Sequence, residues 1–170
     1  MALNSAQIAT LKADIIAKQG AVLAAFFVNP TNVNWDGVAG FYNTVGTFMV
    51  WRTDVTRAEI YHKTSAEATT WSWTFYKNQS VPEQNAWTQM FMGDRADISL
   101  PNLRAGIDAI FTAGSAVNAT HAKAVGKRAC TTLEQLLATG IGTLAAPATM
   151  GAEGTITAQT LSDVFTGRLV

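Results

Sequence analysis

The sequence predicts a mainly α protein: a helical bundle with a short β element and an extended C-terminal arm. Helix-start signals recur, since Asn4–Gln7, Thr56–Glu59, Ser80–Glu83 and Thr131–Glu134 each set a capping side chain three residues ahead of Glu or Gln. Behind most of them, apolar residues return at the spacing of one helix face. Beyond Gly140 the texture changes, because Gly142, Gly151, Gly154 and Pro147 among Ala and Thr do not sustain a helix. The expected division is therefore a helical core over 1–140 and a Gly/Ala/Thr-rich arm over 141–170.

In chain order, Ile8, Leu11, Ile15 and Ile16 give a helix over Ser5–Lys18 that stops at Gly20. Ala21–Val28 reads as a second apolar helix, closed by Asn29-Pro30, since a residue before proline avoids helical geometry. Asn32–Asp36 is turn-like. Val38, Phe41, Tyr42 and Val45 mark a helix from Asp36, and Thr47–Trp51 reads as a short strand or a buried helical link. The Thr56 box opens a helix to Lys63. Thr69–Lys77 alternates Trp71, Trp73 and Phe75 with polar neighbours, the period of a strand or extended loop. Ser80-Val81-Pro82-Glu83 starts a helix to Met92, ended by Gly93, with Trp87, Met90 and Phe91 on one face. Ser99-Leu100-Pro101 starts the next, with Leu103, Ile107 and Ile110 inward and Gly114 as its stop. From Ser115 a helix continues past Ala129, restarts at the Thr131 box and ends at Gly140. Residues 141–154 form a long loop or arm. Thr155–Thr157 is an edge strand, and Ala158–Phe165 is a terminal helix.

Composition narrows the function. The chain has 170 residues, 12 basic and 12 acidic, so the net charge is zero, and only 14% of residues are charged. Ordinary domains carry about 25% charged residues. The 28 Ala and 22 Thr supply a small, uncharged surface suited to contact with other chains. Disorder is excluded by the 48% hydrophobic content. A binder driven by bulk positive charge is excluded by the neutral balance. One cysteine, Cys130, forms no internal disulfide. The start of the chain lacks a secretory pattern, and its longest apolar run is too short to span a bilayer, so synthesis in the cytoplasm is expected.

No catalytic, cofactor or metal pattern is complete. Gly126-Lys127 lacks the remaining residues of a phosphate loop, and Gly140-Ile141-Gly142 lacks the third glycine of a dinucleotide fingerprint. His62, His121 and Cys130 are too few soft ligands for structural zinc. Cys130 is read as a small buried thiol rather than a nucleophile, because it lacks a nearby base at a matching helix position. Asp94 and Asp97 read as turn residues. The tryptophans form a sugar or base platform or, more often in such a sparsely charged chain, a core or subunit contact. A candidate contact site survives at His121, Lys123, Lys127 and Arg128, where Lys123 and Lys127 would share one helix face. Such a face is either solvated or aimed at an acidic partner or a passing nucleic-acid backbone, with symmetry multiplying a few lysines in a ring.

The segments ALNSAQIATLKADIIA, FMVWRTDVTRAEI, LPNLRAGIDAIFTAG, HAKAVGKRACTTLEQLLATGIGT and GTITAQTLSDVF resemble small virion proteins of tailed bacteriophages, of the head-to-tail connector or adaptor type. The resemblance covers most of the chain and includes no catalytic signature. It implies a mainly α-helical, non-enzymatic subunit without cofactors, forming a homo-oligomeric ring of about a dozen copies by analogy. The ring would sit in the virion, between portal protein and tail or nozzle protein on the DNA exit path, with non-specific contact to packaged DNA and none to membrane. The arm that grips the portal would correspond to Ile141, Gly142, Leu144, Pro147, Met150 and Gly154. Other expectations kept open are a tail terminator, minor capsid or decoration protein, and a small enzyme.

Overall fold

The computed structural model describes residues 2–29, 32–65, 67–91 and 93–169. It is mainly α, with about 52% helix and 15% strand. The chain divides into two compact units, Met1–Phe48 with Ala129–Val170 and Met49–Arg128. The second is thus an insertion in the first, and the boundary expected at residue 140 lies inside the first unit. The expectation followed composition, whereas the division follows packing.

In the first unit, α1 (Ser5–Lys18) starts at a complete capping box, with Asn4 Oδ1 accepting from Gln7 N and Gln7 Oε1 accepting from Asn4 N, each at 2.9 Å. The apolar run after it is not a helix: a single 3₁₀ turn at Ala24–Phe26 leads into β1 (Phe27–Asn29), which pairs antiparallel with β2 (Asn32–Val33). The run lacks the capping side chain that starts the short helices elsewhere in the chain, and Phe26 O is taken by Asn34 N at 2.8 Å. Pro30, part of the expected stop, lies outside the described residues. α2 (Trp35–Asn43) is capped by Asn34, and the Phe26 ring lies where a side chain at Gly37 would be. β3 (Val45–Trp51) carries the chain into the second unit.

That unit contains β4 (Val55–Thr56), α3 (Arg57–His62), α4 (Trp73–Lys77), α5 (Val81–Met90), β5 (Arg95–Ala96), α6 (Pro101–Ile110) and α7 (Ala116–Val125). Boxes at Thr56 and Ser80 open α3 and α5 as the sequence predicts. The α5 helix ends at Met90, and Met92 lies outside the described residues. Of the strand or extended loop expected at Thr69–Lys77, residues 69–72 are irregular and Trp73–Lys77 is a short helix. Ser72 caps it by accepting from Phe75 N, and the Asn118 amide holds Ser72 by its N–H and carbonyl at 2.9 and 3.0 Å. Local side-chain bonding to the backbone overrode the period of two. The core joins Trp71, Trp87, Phe91 and Phe111 to Ile60, Ile98 and Ile107. Trp87 Nε1 donates to the Tyr61 hydroxyl at 3.0 Å.

The chain returns along β6 (Lys127–Thr131), the neighbour of β3, where a continuous helix was expected. Gly126 ends α7 against the Ile98 side chain, with no room for a Cβ, and its carbonyl accepts from Arg52 N at 2.8 Å. This pairing draws the next residues into extended backbone. α8 (Thr132–Leu137) opens at the Thr131 box, and α9 (Ala158–Thr166) closes the chain. α9 packs on α1 and α2, and α8 packs on the same two helices. Leu11, Ile15, Tyr42, Leu133, Leu161 and Val164 form their common core. The end of the chain is therefore core material up to α9, while 155–157 forms no strand.

Candidate functional site

The basic stretch does not form one surface. His121 is fully buried on α7, with Nε2 2.7 Å from Ile60 O and Nδ1 3.0 Å from the Thr69 hydroxyl. A carbonyl only accepts, so Nε2 carries a proton and donates to Ile60 O, while Nδ1 shares a hydrogen bond with the Thr69 hydroxyl. Thr69 Oγ1 also lies 2.6 Å from Ser65 Oγ. His121 therefore ties residues 60–69 to α7 rather than facing a partner.

Lys123 is also on α7 and pairs with Asp108 at 2.6 Å. Lys127 is on β6, so the shared helix face expected for these two lysines does not exist. Its ammonium pairs with Glu67 and approaches the Trp51 ring, 5.6 Å from the centroid. The Arg104 guanidinium stands 4.4 Å from the same ring. Arg128 is half-buried and engaged as well. Local pairing consumes the charge that the sequence presents as a cluster.

A stronger charged network went unread. Arg52 donates to both oxygens of Glu59, at 2.9 and 3.2 Å, while Glu59 also accepts from Thr56 N at 3.0 Å and pairs with Lys63. Burial opposes ionisation of Glu59, but the bonds from Arg52, Lys63 and Thr56 outweigh it and hold the carboxyl at about 2. Burial likewise opposes the Arg52 charge, and Glu59 with Asp54 raises it above its usual value. The network fixes the start of α3. In the first unit, burial and the 2.7 Å bond to Asp14 raise the Tyr42 phenol far above its usual range. Asp14 also binds Lys18 at 2.5 Å.

No family model, curated protein or solved structure matches the chain.

Among the described residues, no three His, Cys, Asp or Glu side chains gather as metal ligands, and no helix is long and apolar enough to cross a membrane. Cys130 is buried on β6. Asp97 accepts from Ser99 N at 2.9 Å, the turn role expected of it. A groove of about 380 Å³ is lined by Gln19, Phe27, Asn29 and Phe165, two amides and two rings. Trp71 is buried among Tyr61, Trp87 and Phe111, whereas Trp73 stays 53% exposed beside Tyr61.

The portal-binding candidates lie on the irregular segment after Gly140. Ile141 is 74% exposed and Leu144 is exposed, whereas Gly142 is buried with the Phe48 ring where its side chain would be. Pro147 and Met150 are half-buried, as is Gly154, whose N–H donates to Glu134 Oε1 at 3.0 Å. That contact was invisible in the sequence. The Thr131–Glu134 spacing announces one carboxylate oxygen bound to the helix start, and the use of the other depends on the fold.

Proposed function

We propose that the protein is a structural, non-catalytic subunit of a tailed-bacteriophage virion, a head-to-tail adaptor that forms a ring joining portal to tail. The observation that carries this reading is aliphatic exposure on a sparsely charged chain. Val45 (61% exposed), Ile141 and Leu144 stand on the two segments that meet where Gly142 lies against Phe48. Exposed aliphatic side chains with few charges suit permanent contacts between subunits. In this reading α1, α2, α8 and α9 are the bundle of the ring subunit. The portal contact falls to residues 141–154, a shorter arm than 141–170. Lys123 and Lys127 are paired within the chain, so contact with packaged DNA is non-specific at most, and the mechanism is one of shape, with no bond made or broken.

The test places a charge on two exposed positions: in Val45→Glu and Ile141→Glu the circular-dichroism spectrum and unfolding transition should stay those of the parent chain, while assembly mass, read by light scattering, falls to that of the monomer. Assembly of both variants like the parent chain would overturn this surface as the subunit contact.

A further inference from the structure

The segment 141–155 is held by a different chemistry from the rest of its unit. Only Gly142 and Ala148 within it are buried. Polar latches replace apolar burial. Thr139 and Thr149 exchange two backbone hydrogen bonds at 2.9 Å. Gln7 Nε2 on α1 donates to Gly151 O at 2.6 Å. Glu134, buried on α8, accepts from Gly154 N at 3.0 Å. Just past the segment, the Asn43 amide at the end of α2 accepts from Ile156 N at 2.9 Å and donates to Ile156 O at 2.8 Å.

Two close approaches complete the seat. A Cβ on Gly142 would fall 2.1 Å from the Phe48 ring, and one on Gly151 would fall 2.3 Å from Leu137 O. Beyond the segment, Ile156, Leu161 and Val164 return to the core. Elements with deep apolar burial open only with their whole unit, whereas a stretch that buries few side chains and is held by a handful of exposed and part-buried hydrogen bonds opens locally.

We propose that residues 141–155 are a strap that opens as a unit while α1, α2, α8 and α9 remain packed, with Glu134 and Gln7 as its latches and the Asn43–Ile156 pair as the fixed point where it ends. Gly140, at φ +130°, and Gly142, at φ +74°, supply the hinge at its start. Opening uncovers Phe48 and the Leu137 end of α8, and frees Ile141 and Leu144 to move. The inference stands without the adaptor reading, because the strap belongs to the single chain.

Hydrogen exchange of the full chain tests it, comparing the amides of Thr149 and Gly154 with those of Ile15 and Tyr42. In the parent protein the first set exchanges at least about tenfold faster, equivalent to about 1.4 kcal/mol. Glu134→Gln speeds the strap amides a further tenfold or so. Gly151→Ala, an exposed position that wedges the strap off Leu137 O, does the same without touching a buried side chain. In both variants the Ile15 and Tyr42 amides keep their rates. A single rate shared by strap and core, or a shift of both sets together in the Gly151→Ala variant, would overturn the strap.

Discussion

At the scale of single residues, the molecule converts charge into internal bonds. Glu59 shows the consequence for pH. Its folded carboxyl titrates at about 2, below the usual 4.5, so its contribution to stability is complete above pH 4.5 and is lost as pH falls toward 2. Urea titrations at pH 6 and pH 3 should therefore show the parent chain losing about 1–2 kcal/mol more than Glu59→Gln, a figure reduced for solvent screening. His121 carries a different cost. Replacement by Leu takes the His121 donor from Ile60 O and leaves the Thr69 hydroxyl with Ser65 as its remaining side-chain partner, and chemical unfolding should register a loss of about 2–4 kcal/mol. The sequence presents His121, Lys123, Lys127 and Arg128 as one run, but their partners Ile60, Thr69, Asp108 and Glu67 come from other elements. Nothing local in the run announces them.

At the scale of elements, the legible helices are those with a local signature at their start. The boxes at Asn4, Thr56, Ser80 and Thr131 all form. Asn4→Ala should cost about 1 kcal/mol in thermal or chemical unfolding, the ordinary value of a cap. Elements defined by distant partners were misread. Ala21–Val28 lacked a capping side chain to start a helix, the Trp71–Phe75 alternation concealed the Ser72 cap, and β6 depends on pairing with β3 some 80 residues earlier in sequence. The C-terminal stretch was legible in part. Gly and Pro content marked 141–154 as irregular, and a terminal helix over Ala158–Phe165 is close to the observed α9, but the bonds at Asn43 and Glu134 required the fold.

At the scale of the whole molecule, an inserted unit leaves no trace in composition, which is why the change of texture at Gly140 was mistaken for a boundary. The second unit has its own core, and its ends leave on paired neighbours, β3 and β6. Insertions are tolerated where the ends of a domain lie close together. A fragment of residues 45–131 should accordingly fold alone, with a cooperative unfolding transition and the near-ultraviolet signal of its buried tryptophans; a fragment without that transition would deny the unit its independence. The zero net charge and 14% charged content acquire a narrower meaning on this scale. Most of the described charges are paired or half-buried, so the exposed aliphatic positions face little electrostatic resistance to association. Electron microscopy of the purified protein, alone and mixed with portal protein, measures the central claim most directly. The adaptor reading predicts closed rings of about a dozen copies seated on the portal vertex; a strict monomer that ignores portal would contradict it.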